Sequence, residues 1–151
     1  MARRDFVGIY KPKKAIKYGA VMQLKLSSNR DCMFLEMAPQ TKRMDDSNPY
    51  DWAGQKIAVK LGPTDIGKLL ALFNGSLPLN PAPKEPDLQL FHKNPKGNKI
   101  IKIKKQERGY YIKVSMKEQG KEVSVAIPVS WDEAELIRVA LHRGYEIMLG
   151  W

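Results

Sequence analysis

The chain has 151 residues, of which 43% are hydrophobic and 28% charged, and its formal net charge at pH 7 is +10. This length and composition suit one soluble globular domain with a single core. No apolar run reaches the roughly 18 residues that a membrane span needs, and the basic N-terminus lacks the apolar stretch of a secretory signal. We therefore expect an intracellular protein without a membrane partner.

The positive charge indicates a polyanionic partner, with nucleic acid as the first choice and an anionic membrane surface as the second. The single cysteine, Cys32, has no partner for an intramolecular disulfide. Its apolar surroundings in the sequence predict core packing and a reduced environment.

Residues 1–19 are predicted to form a basic extended N-terminal arm. Pro12 blocks a helix here, and the cations are interleaved with aromatic residues. Such a segment suits single-stranded nucleic acid, because cations follow phosphates while rings stack on unpaired bases. The alternative is a disordered solubilising tail. The candidate contacts in the arm are Tyr10, Lys11, Lys13, Lys14, Lys17 and Tyr18.

The rest of the chain, residues 20–151, is predicted to be one domain with two similar halves. Alternation of apolar and polar residues in the first half, residues 20–75, is typical of half-buried strands. Its first strand carries Lys25 on the polar face, and this lysine joins the candidate contacts. The predicted elements are strands at Ala20–Ser28, Cys32–Ala38 and Lys56–Leu61 and a helix at Asp65–Phe73.

A connector at residues 76–87 separates the halves. It contains four prolines, which stiffen it and keep it from pairing into a sheet. The second half, residues 88–151, again alternates. Its predicted elements are strands at Leu88–His92, Lys99–Lys105, Tyr110–Met116 and Glu122–Ile127 and a helix from Trp131.

The order of alternating strand, proline, hydroxyl residue and helix occurs twice, at Ile57–Phe73 and at Val123–Val139. Ser130 and Glu133 have the spacing of a capping box at the start of the second helix. Hairpin-linked strands with one helix closing each half predict an α+β fold built as a repeat of about four strands and a helix. One face of each sheet is expected to be buried beneath the helices.

A row of cations is predicted on the exposed face of the second sheet. Strand periodicity places Lys102, Lys104 and Lys113 on the outer face of adjacent strands, with Tyr111 beside them. Cations next to an aromatic ring match a phosphate backbone with unpaired bases. The alternative is a solvated outer sheet face.

No catalytic chemistry is indicated. The sequence has no glycine-rich phosphate loop and no cysteine–histidine spacing for a metal, so we expect no enzyme, no cofactor and no metal site. Asp45, Asp46 and Asp51 form an acidic cluster. It lies among turn-forming residues, which makes an Mg²⁺-dependent nuclease a minor alternative.

Six short motifs resemble the Whirly family of single-stranded-DNA-binding proteins, in the family's order along nearly the whole chain. Two positions depart from its Y-K-G-K-A-A-L motif, because Pro12 replaces the glycine and Lys14 the first alanine. The six matching stretches are Tyr10–Ile16, Tyr50–Trp52, Leu61–Leu70, Phe91-His92, Ile127–Val129 and Leu149–Trp151.

The resemblance implies two antiparallel four-stranded sheets packed against each other, each followed by a helix. It also implies a homotetramer assembled through the helices, with higher assemblies possible, and single-stranded DNA lying along sheet edges and between sheets. The helix residues expected to bury the helices or to form the oligomer interface are Leu69, Leu70, Phe73, Leu136, Ile137 and Leu141.

The predicted function is sequence-tolerant binding of single-stranded DNA, which protects or organises exposed strands in repair, replication or transcription. One alternative is an RNA-binding or annealing protein of the same fold. Another is a transcription coactivator-like module with a protein partner. The location that the resemblance implies is the cytoplasm or nucleoid of a bacterium or phage-infected cell, or an organelle (mitochondrion or plastid) if the chain is a processed form.

Overall fold

The computed structural model describes residues 6–95 and 97–150 of the chain. These residues form two four-stranded antiparallel sheets, each followed by one helix. The predicted fold class is therefore confirmed.

Sheet 1 contains the first four strands in chain order, so each strand pairs with the one before it. Apolar side chains alternate with polar ones, and Met22 and Leu24 are buried while Lys25 is exposed. Its elements are β1 (Phe6–Lys11), β2 (Ala20–Leu26), β3 (Met33–Pro39) and β4 (Ile57–Leu61), followed by helix α1 (Pro63–Phe73).

Sheet 2 is also paired in chain order. Its last hairpin turns at Gln119 and Gly120, whose φ angles of 50° and 79° suit the right-handed twist of the two flanking strands. Its elements are β5 (Leu88–Asn94), β6 (Gly97–Gln106), β7 (Gly109–Glu118) and β8 (Lys121–Ser130), followed by helix α2 (Trp131–Met148).

The predicted capping box opens α2. The backbone N–H of Ser130 donates to the Glu133 carboxylate at 3.0 Å, which satisfies a donor that the first helical turn leaves unpaired. This cap fixes where β8 ends and α2 begins.

One hydrophobic core joins the inner faces of both sheets to the buried sides of both helices. Core residues from sheet 1, sheet 2 and the helices include Met22, Leu35, Val59, Ile103, Ile112, Ile127, Ile66, Leu69, Ile137 and Leu141.

Cys32 is buried as a free thiol, as predicted. No helix in the described ranges is long and apolar enough to cross a membrane.

The predicted boundary after residue 19 does not separate an arm from the domain. β1 pairs with β2 over six residue pairs, from Phe6 with Lys25 to Lys11 with Ala20, and Ile9 is buried in the core. The segment is extended because it is the edge strand of sheet 1. Arg3 and Arg4 of the predicted arm lie outside the described residues.

Three of the six predicted interface residues belong to the core of the subunit. Leu69 and Ile137 are each 3% exposed and Leu141 is fully buried, so their side chains are not at the surface of the subunit. Leu70 and Phe73 are partly buried against the same core. Leu136 is 47% exposed. The helical periodicity locates the apolar stripe of each helix, and the sheets of the same chain cover most of it.

Candidate nucleic-acid interface

The outer face of sheet 2 carries an open row of polar, basic and aromatic side chains. Lys102 on β6 stands directly opposite Lys113 on β7, and Lys104 stands opposite Tyr111. Lys102 and Lys113 are exposed, and Tyr111 is 40% exposed. The predicted placement of these four residues on one face agrees with the strand register.

The loop between β1 and β2, residues 12–19, approaches this face and completes a cleft. We call residues 12–19 the basic loop and the space between it and sheet 2 the basic cleft. The cleft has a volume of about 480 Å³. Five predicted contact residues line it: Lys13, Lys17 and Tyr18 from the basic loop, and Tyr111 and Lys113 from β7.

The cations of this region are available to an anionic ligand. Within residues 6–95 and 97–150, no carboxylate lies within ion-pair distance of the ammonium groups of Lys13, Lys102 or Lys113. The Lys17 ammonium lies 4.9 Å from the ring centroid of Tyr18, which is 65% exposed. Lys14 is exposed beside them but does not line the cleft.

Lys104 lies on the same outer face of sheet 2, but its ammonium group is bound by residues of the connector. Its ammonium donates to the backbone carbonyls of Asn80 and Ala82 at 2.8 and 3.2 Å and pairs with the Asp87 carboxylate at 3.1 Å. Burial raises the pKa of Asp87, but hydrogen bonds from the backbone N–H groups of Lys105 and Asn80 and the Lys104 ammonium lower it overall. Lys104 therefore holds the connector on sheet 2, and these contacts make phosphate binding less favourable at this lysine.

Lys11 and Lys25 are also neutralised within the chain. Lys11 pairs at 2.6 Å with Glu133 of the α2 capping box, and Lys25 pairs at 3.3 Å with Glu36. Lys56 holds the same Glu36 from the other side at 2.9 Å. These contacts make phosphate binding less favourable at both lysines. The sequence shows the cations but not the carboxylates that the fold brings to them from distant positions.

The outer face of sheet 1 is partly closed. Tyr50 packs on Val21 and Ala38 and is 7% exposed, and this burial raises the pKa of its phenol. Tyr10 is 53% exposed at the margin of this patch, with its ring centroid 6.2 Å from that of Tyr50. Tyr10 therefore lies on a different sheet face from the basic cleft's Tyr111.

Phe91 is an exposed aromatic residue that is not among the contacts predicted from the sequence. It is 62% exposed and stands opposite Ile100, on the same outer face as Lys102. A signal was present, because Phe91 follows the buried Leu88 and Leu90 in the polar phase of the alternation. An aromatic residue at an outward strand position favours a binding role over core packing.

The double arrangement of four strands and a helix is shared with solved structures of distant sequence. WHY3 from Arabidopsis thaliana matches at 20% identity with a TM-score of 0.70, over 100% of this chain and 92% of that one. The plant transcriptional regulator PBF-2 matches at 20% identity with a TM-score of 0.71, over 100% and 93%. A guideRNA-binding protein complex bound to a gRNA matches at 10% identity with a TM-score of 0.71, over 97% and 92%. These likenesses define the fold.

The chain belongs to the Whirly family, because the family model described as Whirly transcription factor matches residues 9–140. The resemblance read from the short motifs is thereby confirmed. No curated protein matches the sequence.

Proposed function

We propose that this protein binds single-stranded DNA without strong sequence preference, at the basic cleft and the adjoining outer face of sheet 2. The observation that carries the proposal is the meeting of Lys13, Lys17 and Tyr18 with Tyr111 and Lys113 around one cleft. Cations that follow phosphates and rings that stack on unpaired bases are the two components of such binding.

The spacing of the exposed groups favours an extended strand. Two rings, Phe91 and Tyr111, lie two strands apart and four residues apart in register. From usual strand dimensions this is about 16 Å. Lys102 lies between them and faces Lys113. A single strand crossing this face would contact one aromatic ring, then the two lysines, then the second ring. A duplex could not stack on these rings, because its bases are already stacked inside the double helix.

The chemistry tolerates any base sequence, because every base has a face that stacks on an aromatic ring. The cellular role that we propose is to protect or organise exposed strands in repair, replication or transcription. The alternative ligand is single-stranded RNA, because one solved structure of the same fold is a guideRNA-binding protein complex bound to a gRNA. A 2′-hydroxyl distinguishes the two, so competition between matched oligonucleotides decides.

We also propose that the protein is a homotetramer assembled through its helices and able to form higher assemblies. Support comes from the outward side of α2, where Leu136 and Val139 are 47% and 52% exposed. They border an apolar groove of about 480 Å³ that also includes Phe6 and Ile147. Exposed apolar surface of this kind marks association sites.

Removing two facing cations tests the binding surface. Lys102→Ala with Lys113→Ala should weaken binding to a mixed-sequence single strand. It should also make the slope of log affinity against log salt shallower by about 1.4, because each phosphate that is no longer neutralised accounts for about 0.7 of the slope. The measurement is fluorescence anisotropy over a series of salt concentrations.

The matched control removes the same charge elsewhere. Lys60 and Lys68 are exposed on sheet 1 and α1, away from the proposed surface, and their replacement by alanine should leave the slope nearly unchanged. Equal reductions in affinity from both double variants would mean that binding follows net charge alone and would reject the assigned surface.

A further inference from the structure

Gln40 has a buried side chain whose amide is fully engaged with the basic loop and its surroundings. The residue is 4% exposed. Its Oε1 accepts from the backbone N–H of Lys13 at 2.7 Å, and its Nε2 donates to the backbone carbonyl of Lys13 at 2.9 Å. Nε2 also donates to the carbonyl of Lys42 at 2.8 Å. One carboxamide thus pairs with both peptide groups of Lys13 as a neighbouring strand would.

Gly19 leaves space for the Gln40 carboxamide because it has no Cβ. A Cβ at Gly19 would lie 1.7 Å from Oε1 of Gln40, although the backbone of Gly19, with φ of −88° and ψ of 147°, is open to any residue. The glycine is required by the approach of Gln40 and not by a left-handed conformation. The backbone N–H of Gln40 also donates to the carbonyl of Gly19 at 3.0 Å.

Within residues 6–95 and 97–150, the basic loop has few other backbone hydrogen bonds that fix its course. Strand pairing ends at Lys11 with Ala20, and one 3₁₀ turn at Ile16–Tyr18 closes the loop. Gln40 contacts the loop near its start, at Lys13, which is one of its two lysines that line the cleft. Holding a binding group in place reduces the entropy cost when the ligand binds.

We propose that Gln40 is a positioning residue for nucleic-acid binding: it holds the basic loop so that Lys13, Lys17 and Tyr18 lie across the cleft from Tyr111 and Lys113. Gln40 itself is buried and touches no ligand. The inference rests on the proposed function, since it assigns to Gln40 the geometry of that surface.

The test is a charge-neutral pair of variants. Gln40→Ala removes the hydrogen bonds between the carboxamide and the backbone of Lys13. Gly19→Ala displaces the carboxamide while Gln40 is still present. Each should lower affinity for an oligothymidylate about tenfold and make the salt slope shallower by about 1.4, because Lys13 and Lys17 no longer neutralise two phosphates. In the double variant Gly19→Ala should add nothing, since the side chain it displaces is already absent.

Gln23→Ala is the matched control, because Gln23 is a half-buried glutamine on β2 away from the loop; it should keep affinity within about twofold. Circular dichroism shows which variants are folded. If either single variant is folded and keeps wild-type affinity and salt slope, Gln40 has no positioning role. Additive reductions in affinity in the double variant would also overturn the inference. Binding by the wild-type protein is measured before any variant is made. If the wild-type protein itself does not bind the oligothymidylate, the proposed function has failed instead.

Discussion

Replacing Tyr111 by alanine should weaken binding to single-stranded DNA by about 5- to 150-fold, because stacking of one base on an aromatic ring is worth about 1–3 kcal/mol. Tyr111 lines the basic cleft and is 40% exposed, so part of its side chain is accessible to a base. The measurement is anisotropy of a labelled oligothymidylate at fixed salt.

Tyr111→Phe is the control that isolates the ring. It keeps the aromatic face and removes only the hydroxyl, so affinity should stay close to that of the wild type. A reduction in Tyr111→Phe as large as that in Tyr111→Ala would assign the effect to the hydroxyl and contradict stacking.

Phe91→Ala extends the same test to the other end of the proposed path. Its effect should be similar to that of Tyr111→Ala, and the two should add, because the residues are not neighbours in the sheet register. Wild-type affinity in Phe91→Ala would confine the surface to the basic cleft.

Leu141→Ala should lower the free energy of unfolding by about 2–5 kcal/mol, the usual cost of emptying a buried leucine site. The side chain is fully buried in the core that joins α2 to both sheets. Chemical denaturation at one protein concentration measures the change. Leu79→Ala is the matched control, because Leu79 is 47% exposed in the connector and should cost less than about 0.5 kcal/mol.

Leu136→Ala should act on association instead. The residue is on the same helix but is exposed, and it borders the apolar groove. We expect a folded protein whose mass by light scattering falls below that of four chains. Strong destabilisation by Leu136→Ala together with little effect of Leu141→Ala would reverse the division between core and interface.

The sequence predicted most of the fold because its local signals agree. Alternation marked the strands, and Ser130 with Glu133 marked the start of α2. The error at the N-terminus has a physical source. β1 is an edge strand, and its short sequence, which contains Gly8 and is followed by Pro12, looks the same whether it pairs or remains free. Only the partner strand distinguishes the two.

The positions of candidate site residues were predictable where strand register alone determines which face a side chain occupies. They were not predictable where residues distant in sequence contact each other. Lys102 and Lys113 follow from periodicity on adjacent strands. Lys104 fits the same period, but Asp87 reaches it from the connector. The hydrogen bonds between Gln40 and Lys13 join residues 27 positions apart, and nothing in the local sequence around either residue indicates this contact.

We propose that this surface binds unpaired bases and not simply negative charge. The most direct measurement is the affinity of the wild-type protein for a mixed-sequence single strand and for its duplex under identical salt, with the matched RNA strand as a third ligand. We predict that the single DNA strand binds at least about tenfold more tightly than the duplex, because only unpaired bases can stack on the exposed rings. Equal or tighter binding of the duplex would contradict the account, and tighter binding of the RNA strand would replace DNA by RNA as the ligand.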